Sequence, residues 1–128
     1  MNNDGLRLNE NERTMVRQMI RENLLAVDIL KSMEPNVENK RRLCEVYRDC
    51  FELAARYRVC AYVVCDCIEF FCRQDRYDLA IAMAEWLSQY CEEEEAFKEF
   101  QPDVKNLLST LEKIIGERGG TGEWREEE

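Results

Sequence analysis

Seven cysteines, one closely spaced pair of carboxylates and no histidine set the limits on the chemistry this chain can carry. The thiols are Cys44, Cys50, Cys60, Cys65, Cys67, Cys72 and Cys91, and no two of them form a C-x-x-C pair. Zinc sites usually draw on cysteines two to four apart, often completed by histidine. If residues 59–73 are helical, Cys60 and Cys67 share one face and Cys65 and Cys72 another. Each pair then stands about 10.5 Å apart along the axis, too far for a common metal or an intrahelical disulfide. Buried packing as small hydrophobes is the expected role, with metal or redox function ranked third among the functional readings.

Asp66 and Glu69 lie one turn apart, with Arg58, Tyr62 and Arg73 on the same arc, roughly 80° wide at 100° per residue. Asp66 can pair with Tyr62 and Glu69 with Arg73 at i, i+4. The stripe reads as a solvated or salt-bridged face, and as a docking groove if another helix covers it. The remaining catalytic templates fail. Without histidine there is no Ser–His or Cys–His nucleophile pair. There is no Gly-rich phosphate loop, no G-x-G-x-x-G and no H-E-x-x-H, and the Glu-x-x-His of di-iron bundles is missing. The expectation is a non-enzyme with no catalytic residue, cofactor or metal.

Binding residues are the alternative. Arg13, Arg17 and Arg21 form an i, i+4, i+8 stripe, and Lys40-Arg41-Arg42 adds a second basic group. Together they could meet an acidic protein, a phosphorylated peptide or RNA, although Glu10, Glu12, Glu22, Asp28 and Glu38 dilute the field. Leu25 and Ile29 lie well off the core face of their helix and are candidates for contact outside the domain. Trp124, in GEWREEE, has the character of an anchor for a partner groove.

These residues must be positioned by helices. Asn9 and Glu12 have capping-box spacing, opening a helix to about Met33, since Pro35 disfavours helical geometry at Glu34. Its expected core face is Met15, Val16, Met19, Ile20, Ala26, Val27, Leu30 and Met33. Asn36 caps a second amphipathic helix, about Val37 to Tyr57. The phase of the apolar pattern then jumps by roughly 80–100°, which places a tight turn at Arg56–Val59. The stretch VCAYVVCDCIEFFC, residues 59–72, has acids at positions of opposite parity. As a strand they would point to opposite faces, so this is a helix buried on most of its circumference. A fourth helix follows from Arg76 to about Cys91 with Asp75 as its cap. Glu92 to Glu95 should fray, because the helix dipole disfavours acids at a C-terminus. A last helix starts around Pro102 and stops at Gly116.

The fold class expected is all-α: a compact bundle or short helical-hairpin stack of about five helices with a buried central helix, 59–73. The expected organisation is a flexible arm 1–8, a single helical domain 9–116 and a disordered acidic tail 117–128. An apolar share of 45% and a charged share of 35% suit a soluble helical protein. No apolar run reaches the roughly 18 residues of a membrane span. The N-terminal MNNDGLRLNENER lacks a signal-peptide core, and with an odd thiol count a reducing compartment, cytoplasmic or nuclear, is expected. The net charge of −9 is uneven: residues 1–58 hold 11 basic and 10 acidic groups, so +1, and residues 59–128 hold 7 and 17, so −10. The acidic half disfavours nucleic acid or an anionic membrane as its partner.

The segment Ala61–Cys91 resembles a tetratricopeptide-type helix pair. RYDLAIAMAEWL is similar to the second helix of such repeats, with Ala80 at the small-residue position. Val64, Cys67, Ile68 and Phe71 stand where the first helix of the family carries W-x-x-L-G-x-x-Y. The resemblance implies peptide binding on a helical surface. The functional reading is therefore a protein–protein interaction module, an adaptor or regulatory subunit, binding a protein or peptide through Arg13, Arg17, Arg21, Leu25, Ile29 and Trp124. Homodimerisation through the first helix is a variant of it. The alternative is an RNA- or nucleic-acid-associated protein using the N-terminal basic residues.

Overall fold

Each α-helix follows from a helical apolar pattern. The structure, a computed structural model, describes residues 9–118. Among them are five α-helices and no strand: α1 (Glu10–Lys31), α2 (Val37–Tyr57), α3 (Ala61–Arg73), α4 (Tyr77–Glu93) and α5 (Gln101–Arg118). A 3-10 segment, Glu95–Phe100, joins α4 to α5. The all-α class stands. The arm 1–8, most of the tail and Trp124 lie outside the described residues.

The caps explain most boundaries. Asn9 accepts from the Glu12 amide at 2.8 Å while Glu12 accepts from the Asn9 amide at 2.9 Å, closing the capping box. Asn36 accepts from the Asn39 amide at 2.8 Å and opens α2. Between α2 and α3, Arg58 and Cys60 both adopt left-handed backbone, at φ 53 each, on either side of buried Val59. Two such residues in three break the helix without glycine or proline, at the cost of steric strain. Helix α3 therefore begins at Ala61, and Val59 and Cys60 belong to the turn rather than to a helix from 59.

Other boundaries differ from expectation. Lys31 ends α1, with Ser32 as its cap donating from the backbone to Asp28, Ile29 and Leu30 carbonyls. Asp75 does not cap α4: it is left-handed, at φ 59, and accepts from the Tyr77 hydroxyl at 3.2 Å. The cap residue is Arg76, which makes no side-chain cap bond and instead pairs with Asp78 at 3.1 Å. Gly116 does not stop α5, which runs on to Arg118. Helix α4 runs into the acidic run as far as Glu93, and extended Glu94 ends it.

The described residues divide into two compact units, 9–63 and 64–118, with the division between Val63 and Val64 inside α3. In the first, α1 packs on α2. Val16, Ile20, Val27 and Leu30 are buried on α1, and Cys44, Tyr47, Cys50 and Ala54 on α2. Asn39 is the buried polar residue of this unit, and its side-chain amide donates to the Glu34 carbonyl at 2.7 Å, tying the α1–α2 turn to α2. In the second unit, α4 packs on α5, and the 3-10 segment packs on both. Trp86, Tyr90, Phe97 and Phe100 form a run of ring contacts at 5.0, 5.3 and 6.2 Å between successive centroids. That run explains the two phenylalanines in their acidic setting. Helix α3 is buried at Val63, Val64, Cys67, Ile68, Phe70 and Phe71, so it is covered on most of its circumference. Full burial of a side chain the size of Phe71 contributes about 1.5–3 kcal/mol.

Candidate protein-docking face

The acidic stripe of α3 is a solvated face. Tyr62, Asp66, Glu69 and Arg73 are all exposed, and Glu69 pairs with Arg73 at 2.7 Å. Tyr62 bonds to the Cys60 thiol rather than to Asp66; that bond, then the thiol's charge, pushes its phenol above the usual value, while Arg21 and Arg17 pull it back. The start of α3 thus gathers Cys60, Tyr62, Arg17 and Arg21 within the first unit.

None of the seven thiols is in a disulfide. Cys44, Cys50, Cys67 and Cys91 are buried, Cys60 and Cys72 are half-buried, and Cys65 is exposed. Burial, then the Asp49 charge, pushes the Cys50 thiol up to about 11, against a hydrogen bond from Asn23 that lowers it. Burial, then a neighbouring acid, also raises Cys65 (Asp66) and Cys72 (Glu69). Thiols held protonated in this way are poor nucleophiles and poor metal ligands at neutral pH. No group of three or more Cys, Asp or Glu side chains among the described residues is arranged to hold a metal.

The unusual surface is on α1. Leu25 is 57% exposed and Ile29 62% exposed. Met15, at 65%, and Met19 and Met33 are exposed beside them. These three methionines were expected in the core and are not there. The buried arc of α1 runs through Val16, Ile20, Val27 and Leu30, about 80° wide, the width one neighbouring helix covers. The methionines sit next to that arc but past its edge, and residue type alone does not separate the two positions. One signal for them exists in the sequence: Met15, Met19, Glu22, Ala26, Ile29 and Met33 follow an alternating 4-3 spacing of their own.

The arginines lie largely on the other side of α1: Arg13 and Arg17 stand about 160° around the helix from Met15, and Arg21 is the one next to Leu25. Arg17 and Arg21 are exposed and Arg13 is half-buried. Arg17 approaches Glu10 at 3.4 Å, and Arg41 and Arg42 share Glu38 at 3.5 and 3.3 Å. Beside Met19, a cleft of about 750 Å³ opens between α1 and α2, lined by Asn23, Asp49, Glu52, Leu53 and Tyr57 among others. Its lining mixes apolar side chains with the charged groups of Asp49, Glu52 and Arg56. No family model matches the chain, and no curated protein or solved structure matches it. The tetratricopeptide resemblance therefore has no support beyond the helix pair itself. No helix among the described residues is long and apolar enough to cross a membrane.

Proposed function

We propose that the protein is a non-enzymatic helical interaction module, an adaptor or regulatory subunit, that docks a protein or peptide on the outer face of α1. One observation carries this reading: Met15, Met19, Leu25 and Ile29 expose large apolar side chains along one side of a single helix. An exposed apolar strip on one helix is the pattern of a helix-docking surface. Leu25 and Ile29 supply the apolar contact, Arg21 the charged edge beside Leu25, Arg13 and Arg17 a basic face further round the helix, and Trp124 a second anchor. The cysteine usage supports a reducing compartment, the cytoplasm or nucleus.

A photo-crosslinking side chain placed at Leu25, with Arg48 on the outer side of α2 as the control position, tests the proposal. A specific product at Leu25 but not at Arg48, whose purified protein binds the wild type and not Leu25→Glu, supports it. Equal labelling at both positions refutes it. The nucleic-acid reading makes a different prediction, a steep loss of affinity with salt as phosphate contacts are screened. The existing pairs of Arg17, Arg41 and Arg42 with glutamates count against that reading.

A further inference from the structure

We propose that Cys60 is a reactive thiol, a site of oxidation by peroxides to the sulfenic acid, activated by Tyr62, Arg17, Arg21 and the amino end of α3.

Position in the chain is the first reason. Cys60 stands immediately before Ala61, at the amino end of a helix of 13 residues. The free amides of a first turn favour negative charge, and no acid in the first turn of α3 competes for them. The Cys60 carbonyl accepts from the Val63 amide at 2.8 Å, which closes that turn.

The neighbours act in the same direction. The Tyr62 hydroxyl donates to the Cys60 sulfur, and Arg21 and Arg17 of α1 lie close enough to the phenol to act on its charge. Arg21 has no ion-pair partner among the described residues. Arg17 meets Glu10 only at 3.4 Å and in solvent, a weak exposed contact. A thiolate at Cys60 thus gains a hydrogen-bond donor and two cations in range. A half-buried thiol in such electropositive surroundings has the setting of a reactive cysteine. Cys65 and Cys72 have the opposite setting, since Asp66 and Glu69 beside them oppose a thiolate. Exposure alone would rank Cys65 first; charge ranks Cys60 first.

The chemistry needs a peroxide as the oxidant. The thiol proton leaves to solvent, the thiolate sulfur attacks one peroxide oxygen, and the O–O bond breaks. The new S–O bond makes the sulfenic acid, while the departing hydroxide takes up a proton and leaves as water. Sulfur is oxidised and the peroxide is reduced by the same electron pair.

The test alkylates the native full chain with iodoacetamide, a neutral reagent, and follows each thiol by tandem mass spectrometry. At neutral pH Cys60 should react about tenfold faster than Cys65. Arg21→Gln and Tyr62→Phe should each slow Cys60 by about threefold or more, with helix content by circular dichroism unchanged. Arg48→Gln, on the outer side of α2, should leave the rate as in the wild type. Dilute hydrogen peroxide with dimedone present should place the sulfenic acid adduct on Cys60 before Cys65. Faster alkylation of Cys65 overturns the inference, as does a Cys60 rate indifferent to the double variant Arg17→Gln, Arg21→Gln. Peroxide treatment that leaves Cys60 without a dimedone adduct overturns the oxidation step.

Discussion

Cys50 shows how a single buried thiol makes stability depend on pH. It is fully buried, and its native thiol titrates at about 11 against an ordinary value of 9.0. The folded chain therefore holds this proton to higher pH than the unfolded chain does. The stabilisation is whole below pH 9 and is lost between about 9 and 11, to the order of 2–3 kcal/mol. Urea midpoints taken across that range should fall, and the part of the slope due to this residue should vanish in Cys50→Ala. A thiol-reactive dye should meanwhile label Cys60 and Cys65 in the native protein. Cys44, Cys50, Cys67 and Cys91 should react only after denaturation. Asn39 is a second residue-scale feature. Its replacement by alanine removes the bond to the Glu34 carbonyl, costing about 1–2 kcal/mol, measurable by chemical denaturation.

At the scale of elements, what could be read from the sequence depended on whether a boundary had a local cause. The capping box at Asn9 and Glu12 and the cap at Asn36 are encoded in a few adjacent residues, and the bounds of α2 follow directly. The turn after Tyr57 was visible as a phase jump, but the left-handed backbone at Arg58 and Cys60 was not, because neither residue type favours it. Asp75 and Gly116 misled for a related reason. Both types end or open helices when tertiary contacts allow, and here Asp75 turns left-handed and Gly116 stays inside α5. The 3-10 segment had no periodic signal at six residues long; it owes its place to ring contacts between Tyr90, Phe97 and Phe100. Phe97→Ala should therefore destabilise the chain by about 1–2 kcal/mol and reduce the near-ultraviolet circular dichroism of the aromatic run.

For the molecule as a whole, the all-α class and the buried α3 were legible because they depend on long apolar patterns. The docking face was only partly legible. Leu25 and Ile29 stood out because they lie far from the core arc, whereas Met15, Met19 and Met33 border it. Whether a bordering side chain is covered depends on how many helices surround α1, which no local pattern states. Charge follows the division of the structure: residues 1–63 keep the sum of +1 and residues 64–128 hold −10, since 59–63 are uncharged. Binding and folding should also separate at this scale. Leu25→Glu replaces an exposed side chain by another helix former, so the unfolding free energy should stay within about 0.5 kcal/mol of wild type while association is lost.

The methionines give the α1 face one more property. Met83 is 3% exposed, whereas Met15, Met19 and Met33 have their sulfur-bearing side chains in solvent. Peroxide should convert those three to sulfoxides first, as peptide mass spectrometry can follow, and each conversion makes an apolar contact polar. Mild oxidant then acts as a graded release of whatever α1 holds, reversible by methionine sulfoxide reductases, while the helices beneath stay folded.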